Sequence, residues 1–382
     1  MASTAKSPTR KSPTNIHVLL DSLPVKQIFI QQSCNNQATM ADADNQRQIA
    51  KVNEMYDSGT PLFTKDSIRQ LADQVDKVEA TGEPGPVYTT TLDGKAHEIQ
   101  VLTGMPVEES ESDEDTERED DEQLWDYKCW YVVLSSLSPI INYDKQELTI
   151  CRSTRKAYLE YRGLNKLIYV GNEEEDSPPQ ARFMTVGVEN YTLPVCRIPI
   201  KQFRSAFQEI KARWDASSEC KEFKSLMGTI HLPIITKIVA FGCGTLAHAL
   251  DRPQNVDGAV TALEDNGATQ HAFILTLREC LEEKQPGTTI ECLAQDPGYL
   301  DADNQVLREA GIVPVEDPKG FLEVDEHTIV FSQIPSAPVR QIIADIATPA
   351  MMIWKRVEPA GVPPRQWYRF GCASLIIVPS FR

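Results

Sequence analysis

The sequence predicts an α/β protein whose C-terminal half forms a Rossmann-like, doubly wound, mostly parallel sheet, preceded by a partly disordered N-terminal region. Three observations predict it. Beyond residue 230, short apolar runs rich in β-branched residues alternate with amphipathic stretches of helical period, the pattern of a parallel sheet covered on both faces. The first of those runs ends in a glycine turn, KIVAFGCGTLAHAL, residues 237–250. The chain before residue 124 carries polar and acidic stretches too poor in apolar side chains to bury a core of their own.

Taken in order, residues 1–50 are rich in Ser, Thr, Pro, Gln and Asn and read as a mostly disordered tail, interrupted by the apolar patch IHVLLDSLPVKQIFI. Ser7 and Ser12 precede prolines, with basic residues nearby, and are candidates for proline-directed phosphorylation. Residues 51–106 read as a small helix and hairpin region. Ile68, Leu71, Val75 and Val78 recur at helical spacing behind Thr64, a suitable N-cap, and Asp93-Gly94 separates two alternating segments as a hairpin turn. Residues 107–123 hold eleven carboxylates against the single Arg118 and read as an acidic linker, or as a surface for a basic partner. Residues 124–229 read as an α+β extension packing on the C-terminal domain. It opens with the aromatic and β-branched run LWDYKCWYVVL and contains a helix with Phe203, Phe207, Ile210 and Trp214 on one face.

The C-terminal unit, residues 230–382, contains six strand candidates: KIVAF, TIECLAQD, IVPVED, HTIVFSQI, PAMMIW and SLIIVPSF. Helix candidates ATQHAFILTLRECLEEK, DNQVLREAG and VRQIIADIA lie between them.

Composition narrows the function classes. A net charge of −17 disfavours direct nucleic-acid binding, because that affinity comes from Lys and Arg displacing counterions. No apolar run approaches the roughly 18–20 residues that span a bilayer, and the first residues lack the apolar core of a signal peptide, so the expectation is no membrane and a cytoplasmic or nuclear location. The nine cysteines include no CxxC pair and read as reduced, buried thiols. The six histidines show no metal-ligand spacing, so no metal site is expected.

The turn after KIVAF raises one chemical hypothesis. Gly242, Cys243, Gly244 and Thr245 would let the backbone approach an anionic or nucleoside ligand, with helical amides as donors. Asp296, at the end of the second strand, has the position of a ribose-binding acid, with a turn-making aspartate as the rival explanation. Glu264 and Asp265 have the expected separation from the turn but sit in loop-like sequence. An S-adenosylmethionine methyltransferase or a dinucleotide-dependent enzyme would suit the same geometry, although FGCGT lacks an acid before the glycines and a third glycine after them. Ser332 and Gln333, in SQIPSAP after the fourth strand, read either as part of a polar-proline motif or as ordinary loop polar groups. His248 and His271 flank the turn, as substrate-polarising groups or as hydrogen-bonded structural residues, and Cys243 is either a thiolate or a small packing residue. No cofactor is singled out, and a nucleoside-containing ligand and a protein partner both stay open.

The order KIVAFGCGT, Gln270-His271-Ala272, QDPGYLDADNQVLREAGIVPVED and HTIVFSQIPSAPVRQIIADIATPAMMIW resembles the SRR-like family, named for sensitivity to red light reduced, in a fungal-type member with long N-terminal additions. The resemblance covers about residues 230–381. It implies a Rossmann-like domain and a regulatory role without an assigned reaction. Gly242, Gly244 and Asp296 match the family pattern, whereas Ile334-Pro335-Ser336 stands where many relatives have Pro-His-Cys, so no role of that histidine and cysteine transfers to this chain.

Overall fold

The computed structural model describes residues 40–103, 156–168, 183–191, 199–249, 267–333, 335–355 and 375–379. The apolar patch of the tail, Ser7 and Ser12, the acidic run 107–123, the aromatic run after it, Glu264, Asp265 and Ile334 lie outside the described residues.

The first described element is helix α1 (Met40–Asp57), which begins inside the stretch expected to be flexible. Its sequence is mostly polar, and Val52 supplies its fully buried anchor. Helix α2 (Lys65–Thr81) follows the sequence expectation closely. The Thr64 hydroxyl accepts the Ser67 amide, Ser67 returns the bond, and Gly82 closes the helix in the left-handed region at φ 68°. Strands β1 (Gly85–Thr90) and β2 (Ala96–Val101) form an antiparallel hairpin, with Gly94 at φ 80° in its turn. A second hairpin pairs β3 (Lys156–Tyr161) with β4 (Val186–Tyr191), with the short helix α3 (Leu164–Ile168) between them.

Helix α4 (Ile200–Ala216) buries Phe203, Phe207, Ile210 and Trp214, the four residues its spacing singles out. Helix α5 (Ser218–Thr229) is capped by Ser217, whose hydroxyl accepts the Cys220 amide. A six-stranded sheet comes next, built from β5 (Lys237–Phe241), β6 (Glu291–Gln295), β7 (Val313–Pro314), β8 (Thr328–Ser332), β9 (Met351–Lys355) and β10 (Leu375–Pro379). Its spatial order is β10-β9-β8-β5-β6-β7. The first five strands in sequence are parallel, and β10 pairs antiparallel with β9 at the edge. Counted from β5 this is the order 3-2-1-4-5-6 of a doubly wound sheet, which reverses between β5 and β8.

Helices α6 (Gly267–Lys284) and α7 (Asp301–Glu309) cover one face, and α8 (Lys319–Glu323) and α9 (Val339–Ile346) cover the other. Strand alternation sorts the core accordingly. Ile238, Ala240, Cys292, Ala294, Ile329 and Phe331 meet α4 to α7 on the first face. On the second, Val239, Phe241, Leu293 and Val330 meet a layer that includes Val52, Phe63, Ile68 and Leu71 from the N-terminal segment.

Polar contacts fix this second layer. The Leu62 and Phe63 amides donate to Asp345 Oδ2 at 2.8 and 3.1 Å, and Lys65 Nζ donates to the Leu322 and Val324 carbonyls at 3.1 and 2.7 Å. The helix–hairpin segment therefore seals the face of the sheet that α8 and α9 leave partly open.

Candidate functional site

The reversal of strand order between β5 and β8 puts Gly242–Ala247, Asp296–Leu300 and Gln333 at one edge of the sheet, where open α/β sheets bind ligands. Gly242 and Gly244 adopt φ of 62° and 77°, a backbone conformation that suits glycine. A β-carbon at Gly242 would lie 2.8 Å from Pro335 Cα, so this glycine also allows the chain after β8 to pass against the turn. The turn then enters a short 3₁₀ helix, Leu246–Ala249.

Two carboxylates from the far side of β6 hold the turn. Asp296 Oδ2 accepts the Gly244 amide at 2.6 Å, and its Oδ1 accepts the Gly298 amide at 2.8 Å. Burial pushes the Asp296 carboxyl above its usual range, and the two amide donors pull it partly back. These are the bonds of a turn-making aspartate that also bridges to the glycine turn. Asp303, fully buried in the first turn of α7, accepts the Thr245 hydroxyl at 2.7 Å, the Leu246 amide at 2.8 Å and the Leu300 amide at 2.7 Å. Burial raises its carboxyl to about 6, although these donors oppose the shift. Thr245 Oγ1 also accepts the Ala247 amide at 3.0 Å, so its side chain is occupied within the loop.

The other candidate groups face inward as well. Cys243 is buried, and desolvation, with the Asp296 charge beside it, holds its thiol well above the usual range, against the thiolate alternative. His271 is fully buried, with Nδ1 2.5 Å from the Gly267 carbonyl and Nε2 2.7 Å from the Tyr299 hydroxyl. Desolvation pushes its imidazole down to about 4, so the ring is neutral, Nδ1–H donates to the carbonyl and Nε2 accepts the phenol proton. It is a hydrogen-bonded structural histidine. The His248 side chain lies outside the described residues. Among the described residues, no group of three or more His, Cys, Asp or Glu could hold a metal ion.

Ser332 and Gln333, which the sequence offers as a polar-proline motif or as loop polar groups, lie beside the turn and differ in their bonding. Ser332 is used structurally, its hydroxyl donating to the Phe241 carbonyl at 3.0 Å. Gln333 is 4% exposed, and among the described residues neither its Nε2 nor its Oε1 has a hydrogen-bond partner. Thr269 Oγ1 and Gln270 Oε1, in the first turn of α6, are buried and likewise without a partner among the described residues. A buried donor or acceptor left unmet costs about 1–3 kcal/mol. The one available signal was a polar pair, Ser332-Gln333, directly after an apolar strand.

A second polar knot lies on the opposite face of the same strand end. Asp317 Oδ1 accepts the Tyr161 hydroxyl at 2.8 Å and the Gln295 amide at 2.7 Å, and Gln295 Oε1 accepts the Gly320 amide at 2.7 Å. Tyr161 also packs edge-on against Phe321, which stacks on Phe241. A cavity of about 240 Å³ lies far from both knots, at the amino ends of the strands, between Ile230–Pro233 and the end of α6.

The family model for the SRR1 domain matches residues 216–360. Residues 216–360 form an SRR1 domain. The match opens at the end of α4 and runs past β9. The SRR1 domain thus contains the glycine turn, both carboxylates that hold it, and Gln333, whereas β10 and the N-terminal layer lie outside the matched stretch. No curated protein and no solved structure matches the chain. Among the described residues, no helix is long and apolar enough to cross a membrane.

Proposed function

We propose that this protein is an intracellular regulatory protein that acts by binding, through its SRR1 domain, and carries no reaction of its own. The observation that supports this reading is the inward bonding of the candidate chemical groups around the turn. Each oxygen of Asp296 accepts a backbone amide, Asp303 takes three donors, both ring nitrogens of His271 are engaged, and the Cys243 thiol is held protonated. General acid–base catalysis needs a group within reach of a substrate proton and with a pKa near the working pH. These groups are spent on holding the β5 and β6 turns together. The regulatory part of the reading rests on the SRR-like resemblance.

The test is thermal unfolding of the purified chain against S-adenosylmethionine, its demethylated product, nicotinamide dinucleotides, flavins and nucleoside phosphates, with mass spectrometry of each ligand after incubation. A ligand at about 100 times its Kd adds roughly 2.7 kcal/mol, a visible rise in the midpoint. The expected result is that any ligand that shifts the midpoint is recovered chemically unchanged. Conversion of one of them, abolished by Gly244→Val in a protein that still folds, would overturn the proposal in favour of an enzyme.

A further inference from the structure

From the unpartnered polar atoms beside the turn we infer that the SRR1 domain binds a nucleoside through the amine-bearing edge of its base, read by Gln333, Gln270 and Thr269. This deepens the binding reading above and rests on it.

Gln333, Gln270 and Thr269 stand at the same end of the sheet because of the packing of β8 on α6. Phe331 stacks on Phe273 with ring centroids 5.1 Å apart, and this contact sets the register of strand against helix. Helix α6 returns from the carboxyl end of β5 to the amino end of the parallel strand β6, so it runs opposite to β8. Gln333 directly follows β8, two residues beyond Phe331. Gln270 and Thr269 stand one helical turn before Phe273, on its side of the helix and at the same end of the sheet. All three are at least nine-tenths buried, and none of the polar atoms concerned finds a partner among the described residues.

Their chemistry selects the ligand. Gln270 Oε1 and Gln333 Oε1 need donors, Gln333 Nε2 needs an acceptor, and the Thr269 hydroxyl takes either. An exocyclic amine beside a ring nitrogen or carbonyl meets this set. One amine hydrogen goes to Gln333 Oε1, the adjacent acceptor takes Gln333 Nε2–H, and the second amine hydrogen goes to Gln270 Oε1. The side-chain amide then pairs with a base edge as Gln and Asn pair with adenine. Adenine, guanine and cytosine carry such an edge, whereas hypoxanthine and uracil lack the amine.

Charge excludes a phosphate at this point. Gly242–Ala247, Gly267–Gln270, Asp296–Leu300 and Gln333 contain no Lys or Arg, while Asp296 and Asp303 lie beside them. A neutral base fits that field, and an anion would be repelled by it.

The experiment is isothermal calorimetry of the full chain against adenosine, guanosine, cytidine, inosine and uridine, repeated on Gln333→Leu and Gln270→Leu. The expected result is saturable binding of at least one of the first three, with inosine and uridine at least tenfold weaker, because a site built to bond a group rejects the analogue without it. Both variants should lose the binding. Gln333→Leu should also unfold no earlier than the parent protein, since it removes an unmet buried amide. No binding of any of the five at millimolar concentration, equal binding of inosine, or binding retained in both variants would each overturn the inference. If Gln333→Leu fails to fold, the discrimination among the five nucleosides and the Gln270→Leu result decide it. The failures are separable. Loss of nucleoside binding leaves the regulatory reading to its own test, whereas conversion of a ligand sinks that reading whatever the nucleosides do.

Discussion

Asp296 Oδ2 accepts the Gly244 amide at 2.6 Å, so the acid after β6 is bonded to the glycine turn after β5. In a dinucleotide site that acid would face a ribose and that turn a pyrophosphate. Here one bond joins the two, and Asp303 repeats the device one turn into α7 by gathering Thr245 and Leu246. Carboxylates thus supply the cohesion of this edge of the sheet.

The first prediction concerns Asp303. Asp303→Ala leaves the Thr245 hydroxyl and the Leu246 and Leu300 amides without their acceptor in a buried setting. Unmet buried donors cost about 1–3 kcal/mol each, and partial relaxation brings the expected loss to about 3 kcal/mol or more. Urea unfolding of the variant measures it, and a loss below about 1 kcal/mol would show that the turn holds itself without Asp303.

Gly242→Ala is expected to destabilise by about 2 kcal/mol or more. The left-handed backbone at φ 62° costs an L-residue roughly 1–2 kcal/mol. The added methyl would also lie 2.8 Å from Pro335 Cα, a backbone atom that cannot swing aside. Gly94→Ala is the control, since a β-carbon there meets nothing within 4 Å and only the conformational cost applies, at φ 80°. Equal midpoints for the two variants would remove the contact with Pro335 from the explanation.

Stability should fall as pH rises toward neutrality. Burial raises the Asp317 carboxyl from 3.8 to about 7 and the Asp303 carboxyl to about 6, so the folded protein keeps protons that the unfolded chain has released. The stability they contribute is fully present below about pH 4 and is lost as pH climbs through about 6 for Asp303 and about 7 for Asp317. For Asp317 this amounts to roughly 4 kcal/mol as an upper bound, at 1.36 kcal/mol per unit. Asp317→Asn keeps an oxygen for Tyr161 and Gln295 and should flatten the slope of urea midpoints between about pH 5 and pH 7. The same slope in both proteins would show that Asp317 does not titrate in that window.

Much of this fold can be read from the residues, for reasons that explain the rest. The stripe Phe203, Phe207, Ile210, Trp214 and the Thr64 cap are local signals, and local geometry satisfies them. The six strands are apolar enough to stand out, yet their spatial order depends on crossovers that no single strand encodes. Helix α1 escapes notice because its 18 residues are mostly polar and its packing depends on few side chains. Asp303 reads as an ordinary first-turn helix acid, and only the distant Thr245 shows it to be a staple. Tyr161 and Asp317 meet across 156 residues, beyond the reach of any periodicity. Gln333 looks like a loop residue until its burial is known.

The last prediction follows from the second core. Val239, Phe241, Leu293 and Val330 belong to the SRR1 domain, and with Phe321 they pack against Val52, Phe63, Ile68 and Leu71 from outside the matched stretch. Removing residues 1–198 would strip that layer and the β3–β4 hairpin. Each large apolar side chain returned to water costs about 1.5–3 kcal/mol, so five of them approach the whole stability of a domain, about 5–15 kcal/mol. The truncated chain is expected to bind a hydrophobic dye, to aggregate on purification and to lack a cooperative thermal transition. Asp345→Ala in the full chain is the milder version. It frees the Leu62 and Phe63 amides without deleting any apolar contact and should lower the midpoint while preserving cooperativity. A truncated chain that stays monomeric and melts at the parent temperature would mean that the sheet tolerates an open second face, and the N-terminal layer would then be an accessory to the domain and not part of its core.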